Sequence, residues 1–193
     1  MSRQKNILVL YFSKTGNSRF LAGRVAESLE ADQQALKPTF SGIFLLFLLS
    51  RMRVPLGAGI SENDLQGYDE VVLLGPVWGG IVIAPLRTAI RLCVKAGKPF
   101  HFAVSCDIGD EEKDTKYGYG PVLEEARKLG GQYLLSEAAF PTTLLDVPEP
   151  KKNPQVPDTV KISKDNYKGA MEERMAAFIR GIRQAPSRKT DAE

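Results

Sequence analysis

Three apolar runs, Ile7-Leu8-Val9-Leu10-Tyr11-Phe12, Val71-Val72-Leu73-Leu74 and Phe100-His101-Phe102-Ala103-Val104-Ser105-Cys106, are nearly continuous rather than alternating. Strands that read this way are covered on both faces, and covering both faces requires crossover helices between parallel strands. The segments between the runs supply them. Apolar stripes at helical spacing occur at Phe20, Leu21, Val25 and Leu29 (helix from about 18 to 30) and at Leu86, Ile90 and Val94 (85 to 96). Another helix is expected over 121–129, and the last over 166–184 with Met171, Met175, Phe178, Ile179 and Ile182. Two further strands are expected at 33–37 and 132–140, the second after a helix stop at Gly130-Gly131. The pattern predicts an α/β chain with a parallel sheet, and 193 residues suit one domain over 1–193.

Between the first strand and the first helix lies Ser13-Lys14-Thr15-Gly16-Asn17-Ser18. Backbone N–H groups at a helix start are unpaired and carry partial positive charge, and the hydroxyls of Ser13, Thr15 and Ser18 add donors. Gly16 lets the backbone approach a ligand closely, Asn17 suits the cap position, and Lys14 or Arg19 adds charge at the rim. The loop has neither G-x-x-x-x-G-K-[ST], the pattern for nucleoside triphosphates, nor G-x-G-x-x-G, the pattern for dinucleotides. A phosphate monoester such as a mononucleotide is the ligand expected here; the bland alternative is an ordinary Gly-Asn turn and cap.

A second loop follows the strand at 70–75: Gly75-Pro76-Val77-Trp78-Gly79-Gly80, with a helix opening near Pro85. The only tryptophan of the chain thus falls at the carboxyl edge of the expected sheet, where open α/β sheets bind ligands. Trp78 is placed where a flat ligand could stack. A third loop, Asp107 to Gly120, follows the strand at 100–106 and carries Tyr117 and Tyr119.

Together the three loops resemble the FMN-contacting loops of the flavodoxin family. The family's first loop reads [ST]-x-T-G-N-[ST], and Ser13 to Ser18 match at every defined position. The resemblance extends over residues 5 to 140, less closely between 37 and 60. It implies a flavodoxin-like doubly wound sheet of five parallel strands in the order 2-1-3-4-5, with helices on both faces. It also implies noncovalent FMN: phosphate on Ser13, Lys14, Thr15, Gly16, Asn17 and Ser18, ring against Pro76, Val77, Trp78, Gly79 and Gly80, and its edge along Cys106, Asp107, Ile108 and Gly109. Tyr117 or Tyr119 would cover the outer face of the ring. Many family members carry glycine or threonine directly after the fourth strand, where Cys106 and Asp107 stand here. A carboxylate at Asp107 would disfavour the reduced anionic flavin, whereas backbone N–H groups at Asp107 to Gly109 would favour it.

Two stretches fall outside the regular scheme. Residues 38–60 form an apolar insertion in which Gly42 to Leu49 is apolar all round, with Arg51 and Arg53 behind it. Eight residues cannot span a bilayer, which needs about 20. Packing over the sheet edge or in a homodimer is the reading preferred over a membrane-surface helix, with a wall near the flavin or a partner site also open. Residues 147–160 carry Pro148, Pro150, Pro154 and Pro157, as an extended crossing loop would, and 186–193 read as a frayed tail.

Other function classes find little support. Two cysteines without ligand spacing and a lone histidine, His101, inside a strand give no metal site or hydrolytic triad. Cys106 is expected to be a buried thiol, with redox activity the alternative. The N-terminus shows no leader, and a cytoplasmic location is expected. The acidic run Asp107 to Asp114 reads as a solvated loop or a docking patch for a basic redox partner. A net charge of +3 is too mild for nucleic acid and unlike the acidic surface of one-electron carriers, although Lys151, Lys152, Lys161, Lys164 and Lys168 contribute to it away from the flavin loops. The expected activity is electron transfer through FMN with a redox partner protein. The alternatives are an NAD(P)H-dependent reductase of quinones, azo dyes or similar flat acceptors, and a flavin-free binding or regulatory module.

Overall fold

The computed structural model describes residues 5–40, 42–54, 56–145 and 160–186. The strands are β1 (Ile7–Tyr11), β2 (Asp32–Ala35), β3 (Glu70–Pro76), β4 (Phe100–Cys106) and β5 (Leu134–Pro141). The helices are α1 (Asn17–Leu29), α2 (Ile43–Arg51), α3 (Ala84–Lys95), α4 (Gly120–Gly130) and α5 (Ala170–Gln184). All four strand pairings are parallel, in the order β2-β1-β3-β4-β5. The expected sheet and its strand order are thus present.

The period of two along each strand sorts the core into two layers. Leu8, Leu10, Val71 and Leu73 point toward α2, α3 and α4, where Leu46, Leu86, Ile90 and Val122 close the layer. Ile7, Val9, Val72 and Leu74 point the other way, onto Leu21 and Val25 of α1 and Met171, Met175 and Ile182 of α5. At the amino edge of the sheet, Glu70 takes Lys5 Nζ at 2.6 Å and lies 3.1 Å from His101 Nε2. His101 Nδ1 lies 2.7 Å from Ser136 Oγ, so the single histidine, fully buried, has its polar needs met within the sheet.

Several boundaries differ from the sequence expectations, each for a local reason. β2 spans 32–35 instead of 33–37, an edge strand held only by β1. The chain after α4 winds into a 3₁₀ turn, Gly131–Tyr133, so β5 starts at Leu134 instead of Gln132. α5 starts at Ala170 instead of Asn166, because Asn166 closes a turn of its own: its side chain accepts from Ser163 N–H and donates to Lys161 O. The Pro-rich crossing loop, apart from Val160, and the tail from Ser187 onward lie outside the described residues.

The apolar insertion forms helix α2, but only one side of it packs. Leu46 and Ser50 are buried, and Ser50 Oγ donates to Leu46 O and accepts Ala84 N–H at 2.8 Å, docking α2 on the start of α3. The rest of the apolar surface is open: Phe44 is 79 %, Met52 64 % and Ile43 59 % exposed. Packing over the sheet therefore accounts for one face of this helix and leaves the other unpartnered among the described residues.

Candidate functional site

β1 feeds α1 on one face of the sheet and β3 feeds α3 on the other, so the loops leaving these neighbouring strands diverge. That is the switch point of a doubly wound sheet, where a crevice opens beyond the carboxyl ends. Four contacts draw the loops together there. Phe12 and Trp78 meet edge to face with ring centroids 5.7 Å apart. Ser18 Oγ and Ser105 Oγ share a hydrogen bond of 2.8 Å, linking the first loop to the end of β4. Val77 N–H donates to Ser105 O at 2.9 Å. Finally, Gly80 is packed so closely against the carbonyl of Lys116 that a Cβ there would collide with it, which joins the second loop to the third.

In the first loop the helix cap is Gly16 and not Asn17. Gly16 has φ 104° and ψ −18°, a conformation that L side chains rarely adopt, and the space where a Cβ would stand is open. Its N–H donates to Ser13 Oγ at 3.1 Å, leaving the Ser13 O–H to donate elsewhere. Asn17 opens α1 with its side chain buried and turned away: Nδ2 donates to Val160 O, and Oδ1 accepts Ile162 N–H, both at 2.9 Å. The expected cap is thus a strap that fastens residues 160–162 to the loop. Thr15 and Lys14 are exposed, and Ser18 is buried with its hydroxyl on Ser105.

The second loop has two consecutive glycines at positive φ, Gly79 at 60° and Gly80 at 69°, between Trp78 and Ile81, which pair in a short antiparallel bridge. Its exit is clamped by a buried ion pair. Glu125 accepts Arg87 Nη1 at 2.5 Å and Val82 N–H at 2.9 Å, while Arg87 Nη2 donates to Val82 O at 3.1 Å. Sequence reading missed both residues, since neither lies on a loop and only the fold brings α3 and α4 to the same carbonyl and amide. Helix α2 reaches this loop as well: a Cβ on Gly79 would stand 3.0 Å from the ring of Phe47.

The two tyrosines of the third loop separate clearly. Tyr117 is 58 % exposed beside Gly80, whereas Tyr119 is only 7 % exposed and donates its hydroxyl to Asp110 Oδ1 at 2.5 Å. Burial and that carboxylate push the Tyr119 hydroxyl up to about 12. Asp110 also takes two nitrogens of Arg174 on α5, and Arg174 and Tyr119 together lower its carboxyl to about 2. This clasp ties the loop to the body of the protein. Asp107 is exposed and accepts weakly from Thr142 Oγ1 at 3.3 Å; partial desolvation raises its carboxyl. Ile108 and Gly109 are half-buried, with Gly109 facing Thr143. Cys106 is buried, its Sγ 3.5 Å from Ile108 O, and loss of solvent pushes its thiol up to about 12, so little thiolate forms near neutral pH.

Of the residues singled out from sequence, Ser13, Lys14, Thr15, Gly16, Pro76, Val77, Trp78, Gly79, Gly80 and Tyr117 thus lie on loops meeting at the switch point. Tyr119 and the side chain of Asn17 are committed elsewhere. A concavity of about 420 Å³ between β5 and α5, lined by Ser136, Ala138, Arg174, Ala177 and Phe178, contains none of the first- or second-loop residues.

No protein-family model matches the chain, and no curated protein matches it. Solved structures do. A flavoprotein of Lactobacillus acidophilus NCFM in complex with FMN aligns over 70 % of this chain and 93 % of its own, at 15 % identity and a TM-score of 0.52. The apo form of that flavoprotein aligns over 72 % and 93 %, at 15 % identity and 0.51. A short-chain flavodoxin associated with a PDU bacterial microcompartment aligns over 94 % of this chain and 99 % of its own, at 14 % identity and 0.51. At these identities the likeness concerns the course of the chain, and with the strand order it establishes that this protein has the flavodoxin-like fold.

Proposed function

We propose that the protein binds FMN at the switch point and transfers electrons through it. The observation that carries this reading is the first loop: an S-x-T-G-N-S sequence whose Gly16 adopts positive φ at the start of α1, with open space before it. A phosphate dianion there would meet the first N–H groups of α1 and the hydroxyls of Ser13 and Thr15. Trp78 and Tyr117 would flank the isoalloxazine, whose bound form supplies one- and two-electron chemistry. Aromatic stacking adds about 1 kcal/mol per face beyond burial. The chain's own part is to bind, orient and tune. Asn17 and the Arg87–Glu125 clamp fix the loops, while the exposed carboxyl of Asp107 and the backbone N–H groups after it set the local charge.

The test is a visible absorbance spectrum of the FMN-loaded protein, kept free of oxygen, before and after NADPH or NADH. Bleaching reversed by a quinone identifies a reductase that takes hydride directly. A bound flavin that stays yellow with both nucleotides but bleaches with a separate reductase identifies a carrier. A colourless protein that takes up no flavin contradicts the proposal.

A further inference from the structure

The outer face of α2 exposes Phe40, Ile43, Phe44, Phe47, Leu48 and Met52 together on one short segment. Isolated exposed apolar residues are ordinary; a contiguous set on and beside one helix, to which Leu45 adds a seventh, is not. The charge around it is one-sided. Residues 37 to 60 contain Lys37, Arg51 and Arg53 and not one Asp or Glu, a local charge of +3. Arg51 is exposed at the last turn of α2, and Arg53 is 3.9 Å from a Glu125 oxygen that Arg87 already holds at 2.5 Å. Arg51 therefore stands beside the apolar face with no ion pair among the described residues, and Arg53 shares a carboxylate that Arg87 already neutralises.

We propose that α2 docks this protein on an anionic membrane surface. Nine helical residues extend about 13 Å, far below the thickness of the hydrocarbon core, and among the described residues no helix is long and apolar enough to cross a membrane. The helix therefore lies in the interface, with Leu46 and Ser50 holding it to the protein and the opposite face turned to lipid. Charge complementarity selects this occupant over a second copy of the chain. A second copy of α2 would cover the apolar side chains but bring no carboxylate to Arg51 and Arg53, since residues 37 to 60 hold none, whereas anionic headgroups neutralise them. Because Phe47 lies against Gly79, docking sets the Trp78 loop at the bilayer surface.

The experiment sediments the full chain with vesicles of phosphatidylcholine alone and of phosphatidylcholine with one-third phosphatidylglycerol, at low and physiological salt. The account expects binding at least tenfold tighter to the anionic vesicles, weakening as salt rises. Phe44→Asp should lower it a further tenfold or more while leaving the thermal melt unchanged, since Phe44 packs on little. Replacing Arg51 and Arg53 with Gln should cost about fivefold each. A wild-type protein that stays in the supernatant at low salt, or binds both vesicle types equally, overturns the proposal. So does a dimer that Phe44→Asp converts to monomer without any vesicle binding.

Discussion

Gly16 concentrates the demands on the first loop in one residue. Any L side chain at φ 104° is strained, so Gly16→Ala should lower stability by about 1 to 3 kcal/mol in a urea titration even though no atom crowds the new methyl. Thr15 and Ser18 divide differently. Ser18 already shares a hydrogen bond with Ser105, while the Thr15 hydroxyl has no side-chain partner among the described residues; Thr15→Ala should therefore weaken FMN binding more than Ser18→Ala does. Charge-assisted bonds to a dianion are worth about 1.5 to 3 kcal/mol, so the double variant should lose several kcal/mol of affinity; unchanged affinity would take the loop out of the site. Asp110 offers a pH readout. Its folded-state value, about 2, lies below the usual 3.8, so the Arg174 clasp contributes fully above pH 4 and is lost as pH falls toward 2. Asp110 is 46 % and Arg174 31 % exposed, and solvent screening trims that contribution to about 1 kcal/mol. The stability gap between wild type and Asp110→Asn should accordingly close between pH 4 and pH 2 and stay constant above it.

Among the elements, α3 and α4 show why part of the site was invisible in the sequence. The first loop and the Trp78 loop were legible because their pattern is contiguous: a strand, a Gly-containing loop and a helix start within a few residues. Arg87 and Glu125 are 38 positions apart and read as ordinary helix charges. Only the packing of α3 on α4 brings them to Val82. Removing one member of a buried pair leaves the other uncompensated, so Arg87→Met should cost about 3 kcal/mol and loosen the second loop, seen as a red shift of Trp78 emission. Changing Glu125 to Leu as well should restore much of the stability, because a packed apolar pair needs no counter-charge. Asn17 as a cap, and Tyr119 as the alternative to Tyr117, show the opposite case. Their residue types fit a cap and a stacking ring, but burial committed them to residues 160–162 and to Asp110. For α2, the all-round apolar run signalled packing, and Leu46, Leu49 and Ser50 supply it on one face; nothing in the run itself told which face would stay open.

At the scale of the whole molecule, the sheet order places the first and second loops side by side and Phe47 of α2 lies against Gly79 of the second, so the candidate site and the apolar surface belong to one end of the fold. The central claim is narrower: the first loop is a phosphate site for FMN. It is tested most directly by titrating the protein with FMN and, in parallel, with riboflavin, following the quenching of Trp78 emission. Saturable one-to-one binding of FMN with riboflavin at least a hundredfold weaker, about 2.7 kcal/mol, is the predicted result. Equal affinity for the two, or no binding of either, would contradict it.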